Sequence, residues 1–483
     1  MSENKIKASH DTVNPPNLVS FMLKNWKDPS TQLPKPISSL ACFIRRRAAL
    51  SRQFPNETLI IPTGHPKVRA NDTYYAFRPS SDFFYLTGNV EPDCLLALVP
   101  QAKGGHDAIL FVEPDPGKTD PTFFTDRIKG ALWEGSRLGV PNSQARYGIL
   151  DTRALPELEA FVRALGKTAA SSVRVLRGHS ASTEAWLGRP QPVQLARDQE
   201  LAVALSEMRL LKDDDEIKEL AAVVRATHRG FEDVIRRLKT AKSERELEGV
   251  FFTRARMEGN DVGYGSIVAS GDHACTLHWK KNDGQLRKGD LLLLDAGIEG
   301  NSLYTADITR TLPISGKFTK EQKLIYDLVL AAQNAGLKAV KPGNDFMEPN
   351  RAAMRVLAQG LEKLGILPTS AEEALRDENQ FYKRYSLHNV SHMLGLDVHD
   401  CASARAEAYK FGRLEPGMVL TVEPGLYFQI DDLTVPARFR GIGIRIEDDV
   451  VVTAKGCRNL SGPIPRKTKD IEAWMKKLWG KSG

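Results

Sequence analysis

The sequence predicts a two-domain protein, in which an N-terminal α/β domain is followed by a C-terminal α+β domain. At 483 residues the chain is too long for one ordinary hydrophobic core. Short apolar runs and Pro/Gly-rich breaks alternate up to about residue 195, and longer amphipathic helices with antiparallel-looking strands follow. We therefore place an N-terminal arm at residues 1–37, the first domain at 38–200 and the second at 201–483.

The strands of the first domain are predicted from short apolar runs that turn residues bound. The runs "TLIIPTG" (58–64), "LLALVP" (95–100) and "DAILFVEP" (107–114) have this form, with helical stretches between some of them. The preceding segment, "MSENKIKASHDTVNPPN", lacks the apolar stretch of a secretory signal. It predicts a disordered or loosely attached arm on a cytoplasmic protein.

Helices dominate the start of the second domain. Residues 197–220 change to a long-helix pattern, and apolar residues at three- and four-residue spacing continue it to Leu238. Capping-box pairs, Ser243 with Glu246 and Thr319 with Gln322, predict the starts of two further helices. The sequence Lys-Pro-Gly at 341–343 ends the later one, and the tail "IEAWMKKLWGKS" predicts a short amphipathic helix.

Strand-like runs complete the second domain. They are "DLLLLDAGI" (290–298), "GMVLTVEPGLYF" (417–428) and "GIGIRIEDDVVVT" (441–453). The last alternates with period two over Ile442, Ile444 and Ile446, which is typical of a half-buried strand.

Composition excludes several classes of protein. No apolar run approaches the ~18 residues that cross a bilayer, which argues against a membrane protein. The net charge is +7, but 67 basic residues are interleaved with 60 acidic ones, which indicates a mixed-charge surface rather than a nucleic-acid site. Five scattered cysteines without CxxC spacing predict reduced thiols rather than a disulfide framework or thiolate metal site.

Three of the ten histidines fall in the segment "LHNVSHMLGLDVHD" (387–400). His388 and His392 are four residues apart, so a helical turn would place both on one face as a zinc-binding pair, although Gly395 weakens a long helix here. A single histidine among apolar neighbours is more often a hydrogen-bonded core residue. The spacing alone leaves both interpretations open.

Each strand-like run of the second domain also carries an acid where an apolar or turn residue is expected. These acids are Asp295, Asp307, Glu423 and Glu447. Burying a carboxylate costs several kcal/mol unless it is paired, protonated or bound to a cation, so four such residues with a histidine triplet indicate a shared metal site. Mostly oxygen ligands suit Mn²⁺, Co²⁺ or Zn²⁺, and can hold two ions about 3.5–4 Å apart.

The order of these motifs resembles a known family. "LLLLDAGIEGNSLYTADITRTLPISGKF", "SHMLGLDVHD", "TVEPGLY" and "GIGIRIEDDV" are similar to the motifs of the pita-bread metallopeptidases, most of all bacterial aminopeptidase P. The resemblance is strong over about 205–465. It extends more weakly to the first domain, through "SSDFFYLTGNVEPDCLLALVP" (80–100) and "IKGALWEGSRLGV" (128–140). It implies an aminopeptidase P-like N-terminal domain and a pita-bread catalytic domain.

The resemblance also implies roles for individual residues. The metal ligands would be Asp295, Asp307, His392, Glu423 and Glu447, with Asp307 and Glu447 bridging two ions that are usually manganese. Glu423 would act as the proton acceptor as well. His278 and His399 would stabilise the tetrahedral intermediate or relay protons, and His388 would line the pocket for the proline ring. Arg445, two residues before Glu447 on a predicted strand, can orient these acids or contact substrate.

The expected reaction is hydrolysis of the Xaa-Pro bond, which releases the N-terminal residue from peptides of three or more residues with proline second. A Xaa-Pro dipeptidase remains the alternative, because the same five ligands serve both activities. A catalytically inactive pita-bread binding module is less favoured, because such modules lose ligands and all five are present here. The resemblance further implies a homodimer or homotetramer.

Overall fold

The computed structural model describes residues 14–168 and 172–480, which form two compact units divided between Leu205 and Ser206. The first 13 residues of the predicted arm lie outside the described residues. Within the rest of that arm, Pro16–Met22 forms a short helix, α1. We describe the N-terminal and C-terminal units in turn.

The N-terminal unit contains one mixed sheet surrounded by short helices. Its strands are β1 (Thr58–Pro62), β2 (Val68–Ala70), β3 (Thr73–Tyr74), β4 (Leu95–Pro100), β5 (His106–Val112), β6 (Asp151–Ala154) and β7 (Val173–Val175). Its further helices are α2 (Leu40–Gln53), α3 (Ser81–Thr87), α4 (Thr122–Thr125), α5 (Ala131–Glu134), α6 (Gly139–Tyr147), α7 (Leu158–Thr168) and α8 (Ala181–Leu187).

The three predicted apolar runs of this unit form strands β1, β4 and β5, as expected. The sheet order is β6-β5-β4-β1-β7. The central strands β5, β4 and β1 pair antiparallel, whereas the edge strand β6 pairs parallel with β5 and the edge strand β7 pairs parallel with β1. All five residues of β1 are buried, because this strand lies inside the sheet. The α/β character predicted for this part of the chain is confirmed.

The C-terminal unit combines long helices with short antiparallel strands. Its helices are α10 (Asp214–Leu238), α11 (Glu244–Glu258), α12 (Lys320–Ala339), α13 (Glu348–Lys363), α14 (Ala371–Ala374) and α15 (Thr468–Gly480). Its strands are β8 (Asp261–Val262), β9 (Ile267–Ser270), β10 (Leu291–Ala296), β11 (Ile298–Glu299), β12 (Ile308–Pro313), β13 (Val419–Val422), β14 (Gly425–Tyr427), β15 (Gly443–Arg445), β16 (Asp448–Thr453) and β17 (Gly456–Asn459).

The long helix predicted from residue 197 to Leu238 is wrong in one respect, because the chain breaks it in two. Helix α9 (Pro192–Met208) ends before α10 begins at Asp214. Asp213 caps α10: its side chain accepts from the N–H of Glu216, and the Glu216 side chain accepts from the N–H of Asp213. An aspartate stabilises a helix start better than a helix interior, so a new helix begins here. The apolar spacing continues across this boundary and does not reveal it.

The two other predicted helix starts are found where expected. Thr319 and Gln322 form the complete capping box of α12. At α11 only half of the box forms: Ser243 accepts from the N–H of Glu246, whereas the Glu246 side chain accepts from the N–H of Lys242. The predicted amphipathic tail is α15, which buries Ile471, Trp474, Met475 and Leu478.

Antiparallel pairs place the predicted strands side by side. Strand β10 pairs with both β9 and β12, β13 pairs with β16, and β14 pairs with β15. Two predicted strands are interrupted in the same way: Glu423 lies between β13 and β14, and Glu447 lies between β15 and β16. The acids therefore mark points where regular strand pairing stops.

The largest hydrophobic cluster of the C-terminal unit joins its long helices to several of its strands. Buried side chains of α10, α11, α12, α13 and α15 pack against β10, β12, β14 and β15. Among the described residues, no helix is both long and apolar enough to span a bilayer. Strands β10, β12, β14 and β15, which carry or flank the predicted acids, therefore share one cluster of buried side chains.

Candidate metal centre

Two of the predicted aspartates lie on a β-hairpin. Asp295 is on β10, directly opposite Thr309 on β12, and Asp307 immediately precedes β12. The Tyr264 hydroxyl lies 2.6 Å from Asp295 Oδ1 and 2.5 Å from Asp307 Oδ1. A phenol has one proton, so the Tyr264 hydroxyl donates to one of the two carboxylates at a time. Both carboxylate oxygens nevertheless lie within hydrogen-bond distance of the hydroxyl.

Backbone hydrogen bonds at the strand breaks hold the two glutamates, Glu447 against this hairpin and Glu423 against the loop that carries His392. The N–H of Glu447 donates to the Thr309 carbonyl at 3.1 Å, and the N–H of Glu423 donates to the Val390 carbonyl at 2.8 Å. Thr309 also donates its hydroxyl to Glu447 Oε2 at 2.6 Å. Glu447 is 1% exposed, so its carboxylate depends on partners inside the protein.

His392 approaches the same point from a loop. Residues 386–400 contain no helix, so the helical zinc-pair interpretation of His388 and His392 is wrong. The His392 Nδ1 atom lies 3.1 Å from the Met393 carbonyl, which can only accept, so Nδ1 carries the proton of that bond. The Nε2 atom faces Asp307 Oδ2 at 3.3 Å and Glu423 Oε1 at 3.4 Å.

The convergence of these groups fits a divalent cation. Ligand atoms of Asp307, His392 and Glu447 all lie within 4.8 Å of one another. An imidazole whose Nδ1–H is held by a carbonyl and whose Nε2 faces carboxylates has the arrangement typical of a metal-binding histidine. Oxygen ligands with one imidazole suit a hard or borderline divalent ion.

Electrostatics support the same interpretation. Burial and then repulsion by neighbouring carboxylates raise the pKa of Glu447 well above its usual range. Burial raises the pKa of Glu423 to about 7. The positive charge of His392 opposes this rise, and the negative charge of Asp307 adds to it. For His392, burial lowers the pKa, but Asp307 and Glu423 outweigh it and raise the value to about 9. The site thus favours added positive charge.

Arg445 lies within the site and orients several of its members. Its Nη2 donates to Asp295 Oδ2 at 2.5 Å, and its Nη1 donates to the Tyr427 hydroxyl at 2.9 Å. Its Nε donates to the Thr309 hydroxyl at 3.2 Å, which in turn bonds Glu447. Arg445 is thus linked to Glu447 through the Thr309 hydroxyl.

His388 continues this chain of hydrogen bonds. Its Nδ1 donates to the Asn389 carbonyl at 2.9 Å, so its Nε2, 2.7 Å from the Tyr427 hydroxyl, accepts the phenolic proton. Burial, and then the positive charge of Arg445, lower the pKa of His388 to about 4. His388 is therefore neutral near pH 7. Its Nδ1 also lies 3.6 Å from Glu423 Oε2.

The other two predicted histidines are His399 and His278. The His399 ring meets the His392 ring edge to face, with centroids 4.5 Å apart. His278 is exposed on the segment after β9, near enough that its charge helps burial lower the pKa values of His388 and His399. The structure thus brings the five predicted ligands, His388, His399 and Arg445 together, whereas His278 lies on the exposed segment after β9.

Sequence reasoning missed the uncharged residues that orient the acids. Tyr264, Thr309 and Tyr427 each bond two of the predicted site residues. Tyr427 and Thr309 lie within or next to the strand motifs, and a polar residue in an apolar strand is a signal that could have identified them. Tyr264 lies in the segment "GNDVGYGS", which carries no such signal.

Sequence profiles of known families match both halves of the chain. The profile of metallopeptidase family M24 matches residues 218–454. The profile of the aminopeptidase P N-terminal domain matches residues 43–176. The two matches fall in the C-terminal and N-terminal units respectively.

Relatives are similar over nearly their whole length. Xaa-Pro aminopeptidase 1 of Streptomyces coelicolor is 50% identical over 465 residues, which are 96% of this chain and 92% of the relative. The Xaa-Pro aminopeptidase of Escherichia coli is 34% identical over 450 residues, 90% of this chain and 97% of the relative. The structure of E. coli aminopeptidase P with the inhibitor Pro-Leu aligns with a TM-score of 0.80 at 32% identity, covering 92% of this chain and 100% of that one. The chain therefore belongs to metallopeptidase family M24, as an aminopeptidase P relative with the pita-bread catalytic fold.

Proposed function

We propose that this chain hydrolyses the peptide bond between an N-terminal residue and a following proline. The observation that carries the proposal is the convergence of Asp307, His392 and Glu447 in a buried site within an M24 domain. The similarity to Xaa-Pro aminopeptidases over more than nine-tenths of the chain supports the proline specificity. A peptide with proline second is the expected substrate, and the same peptide with alanine second is the control.

Five residues are proposed as the ligands of two divalent ions: Asp295, Asp307, His392, Glu423 and Glu447. Asp307 and Glu447 are the proposed bridging ligands, as the family resemblance implies, and both are buried with ligand atoms within 4.8 Å of His392. Manganese is the proposed ion, and Co²⁺ or Zn²⁺ would suit the same oxygen-rich set. Measuring hydrolysis by metal-free protein after addition of each ion separately tests this choice.

Glu423 is proposed as the general base of the reaction. Bound ions would supply positive charge that polarises the scissile carbonyl and the attacking water. The Glu423 carboxylate lies between the two histidines, with Oε1 3.4 Å from His392 Nε2 and Oε2 3.6 Å from His388 Nδ1. From there it can accept the proton of the water and later deliver it to the proline nitrogen that leaves.

The remaining polar groups are proposed to act on the substrate. His399 and His278 would stabilise the negative charge that develops on the scissile carbonyl oxygen, or relay protons to the leaving group. His388 is neutral and held by Tyr427, which suits a wall for the proline ring. The Arg445 guanidinium donates to Asp295 and Tyr427. We therefore propose that Arg445 orients these residues and affects substrate binding indirectly.

Peptide length separates this proposal from its alternative, a Xaa-Pro dipeptidase. We expect a Xaa-Pro-Yaa tripeptide to be cleaved faster than a Xaa-Pro dipeptide in the presence of manganese. Both measurements use one enzyme preparation, and the alanine-second tripeptide controls for unspecific peptidase activity. Cleavage of the dipeptide alone would establish the alternative and leave the proposed metal site unchanged.

The assembly and the compartment are also proposals. We propose a homodimer or homotetramer, as the family resemblance implies, and light scattering at working concentration tests it, since a monomer would refute it. We propose a cytoplasmic location because all five cysteines are free thiols, four of them buried, which suits a reducing compartment. Cell fractionation followed by activity measurement tests the location.

A further inference from the structure

A fully buried carboxylate, outside the proposed metal centre, holds one loop of the C-terminal unit. Glu244 is the first residue of α11 and is 0% exposed. Its Oε1 accepts from the N–H and hydroxyl of Ser270 and from Nδ1 of His273, at 2.7, 2.8 and 2.9 Å. Its Oε2 accepts from Nε1 of Trp279 and the N–H of Gly284, at 2.8 and 2.7 Å. Five donors therefore converge on one carboxylate.

All five donors belong to residues 270–284, the loop that carries His278. We call residues 270–284 the His278 loop. Trp279, which bonds Glu244, is the immediate neighbour of His278, so the anchor and the exposed imidazole are one residue apart. The N–H of Lys280 donates to the His278 carbonyl at 2.9 Å, which fixes the backbone of this turn.

The packing of the loop leaves little freedom around this carboxylate. The His273 and Trp279 rings are stacked, with centroids 3.9 Å apart and planes at 26°. A Cβ on Gly284 would lie 2.6 Å from His273 and 2.7 Å from Glu244 Oε1, so only glycine fits there. The main chain also closes on itself here, since the N–H of Glu244 donates to the Gly284 carbonyl at 3.0 Å.

The charge of Glu244 suits five donors. Burial raises the pKa of Glu244, but the hydrogen bonds from Ser270, Trp279, His273 and Gly284 outweigh burial and lower it overall. The group is therefore an acceptor at both oxygens near neutral pH. In a glutamine at this position, an NH₂ group with two N–H donors would replace one carboxylate oxygen. That group would face N–H or O–H groups that also need an acceptor.

We propose that Glu244 is a positioning residue for catalysis, which holds the His278 loop so that His278 faces the scissile bond. The proposal rests on the role proposed above for His278. None of the five groups that donate to Glu244 belongs to a proposed metal ligand. We therefore expect Glu244 to act on catalysis through the His278 loop. Its position in the first turn of α11 offers a second reason for an acid, since acids stabilise helix starts.

A matched control separates those two reasons. Glu246 lies in the same first turn of α11 but is partly exposed, and its carboxylate bonds Arg237 and the N–H of Lys242 rather than the His278 loop. We expect Glu244→Gln to lower kcat for a Xaa-Pro-Yaa tripeptide by about 10-fold with little change in KM. We expect Glu246→Gln to leave both constants within about twofold of the parent enzyme.

The decisive step places Glu244→Gln in a His278→Ala background. If Glu244 acts through His278, the double variant has the same kcat as His278→Ala alone, because there is no imidazole left to position. Multiplied losses in the double variant would overturn the proposal and assign Glu244 to general stability. Full activity of His278→Ala would overturn the role of His278 and this proposal together, while leaving metal binding and Xaa-Pro hydrolysis untouched.

Hydrogen exchange gives a readout that does not depend on activity. Amide exchange in residues 270–284 of Glu244→Gln should become faster, while exchange in α12 stays unchanged. If Glu244→Gln folds poorly, Trp279→Phe removes one of the five bonds and keeps the ring stack, and it should show the same pattern with a smaller loss of kcat. Unchanged exchange of the loop in both variants would overturn the proposal.

Discussion

Two buried acidic regions of the C-terminal unit differ in how their negative charge is compensated. In the carboxylate cluster, Asp307, Glu423 and Glu447 lie around His392, and Asp295 shares the Tyr264 hydroxyl with Asp307. In the second region, Asp400 Oδ2 lies 2.9 Å from Lys212 Nζ, and both side chains are 1% exposed. Arg209 adds a further positive charge 3.5 Å from Asp400 Oδ1.

The direction of the pKa shifts makes the difference explicit. Burial would raise the pKa of Asp400, but Lys212 and Arg209 outweigh burial and lower it. Burial and neighbouring carboxylates together raise the pKa of Glu447. Asp400 has buried cations of its own and is structural. In the cluster Arg445 pairs with Asp295, but the carboxylates still repel one another, so the cluster favours a further cation from outside the chain.

The two regions are connected by one loop. The N–H of Asp400 donates to the Met393 carbonyl at 3.0 Å, next to His392, and the N–H of Lys212 donates to the Gly417 carbonyl at 3.0 Å. His399 immediately precedes Asp400. The balanced pair therefore fixes the loop that brings two histidines to the unbalanced cluster.

The largest expected effect comes from removing a member of the unbalanced cluster. Glu447→Gln should reduce Xaa-Pro hydrolysis by about 10⁴-fold or more, because the proposed bridging carboxylate is lost. The metal-free variant should unfold at the same temperature as the metal-free parent protein or higher, because the change relieves repulsion. Thermal unfolding and peptide hydrolysis on one preparation measure both. Parent-level activity would sink the assignment of Glu447.

A smaller loss is expected when only the proposed base is changed. Glu423→Gln keeps an oxygen for the metal but cannot accept a proton, so kcat should fall by about 10²- to 10⁴-fold. Bound manganese, measured by elemental analysis after dialysis, should fall much less than in Glu447→Gln. Equal loss of metal in both variants would mean that Glu423 is needed as a ligand rather than as a base.

The sequence predicted the acids of the unbalanced cluster but not the balanced pair, Lys212 and Asp400. Asp295 and Glu447 interrupt apolar strands, and an acid in an apolar strand is visible in the sequence. Lys212 and Asp400 lie 188 residues apart in polar segments, and no local pattern connects them. Long-range charge pairing depends on tertiary contacts that local periodicity does not encode.

The same reason explains which parts of the fold were missed. Strand β10 and the helix start at Thr319 follow from an apolar run and a capping box, which are local signals. The break between α9 and α10 was missed because apolar spacing continues across it, although Asp213 marks it. The helical interpretation of residues 388–392 failed because four-residue spacing also occurs in loops.

Breaking the balanced pair should reduce stability rather than chemistry. Lys212→Met leaves Asp400 buried with less compensating charge, which should cost about 3–5 kcal/mol of unfolding free energy. Activity per folded molecule with saturating metal should change much less than in Glu423→Gln. Denaturant unfolding measures the first quantity, and Lys218→Met, an exposed lysine of α10 paired with Asp215, is the control.

The loss in Lys212→Met should also depend on pH. In the parent protein the pKa of Asp400 is lowered, so the pair stabilises the fold above the usual aspartate pKa and loses that contribution as pH falls through the folded value. In the variant, burial favours the protonated acid. The stability gap between parent and variant should therefore narrow as pH falls from 7 to about 4. A constant gap would contradict the assignment of the loss to Asp400.

The smallest effect is expected from a residue that only orients the cluster. Tyr264→Phe removes the hydroxyl shared by Asp295 and Asp307. Metal affinity should weaken by about 10- to 100-fold, which is typical for partners of metal ligands. Titration of the metal-free variant with manganese, followed by recovery of activity, measures this change, and activity at saturating metal should return close to the parent value. Unchanged affinity would exclude Tyr264 from the orientation of the aspartates.

The most direct test of the contrast between the two regions is a count of bound manganese ions. Metal-free parent protein, Glu447→Gln and Lys212→Met are each dialysed against manganese, and the ions per chain are measured by elemental analysis. We predict about two ions per chain in the parent and in folded Lys212→Met, and fewer than one in Glu447→Gln. No bound ion in the parent, or an undiminished count in Glu447→Gln, would contradict the conclusion that the unbalanced carboxylates form the metal centre.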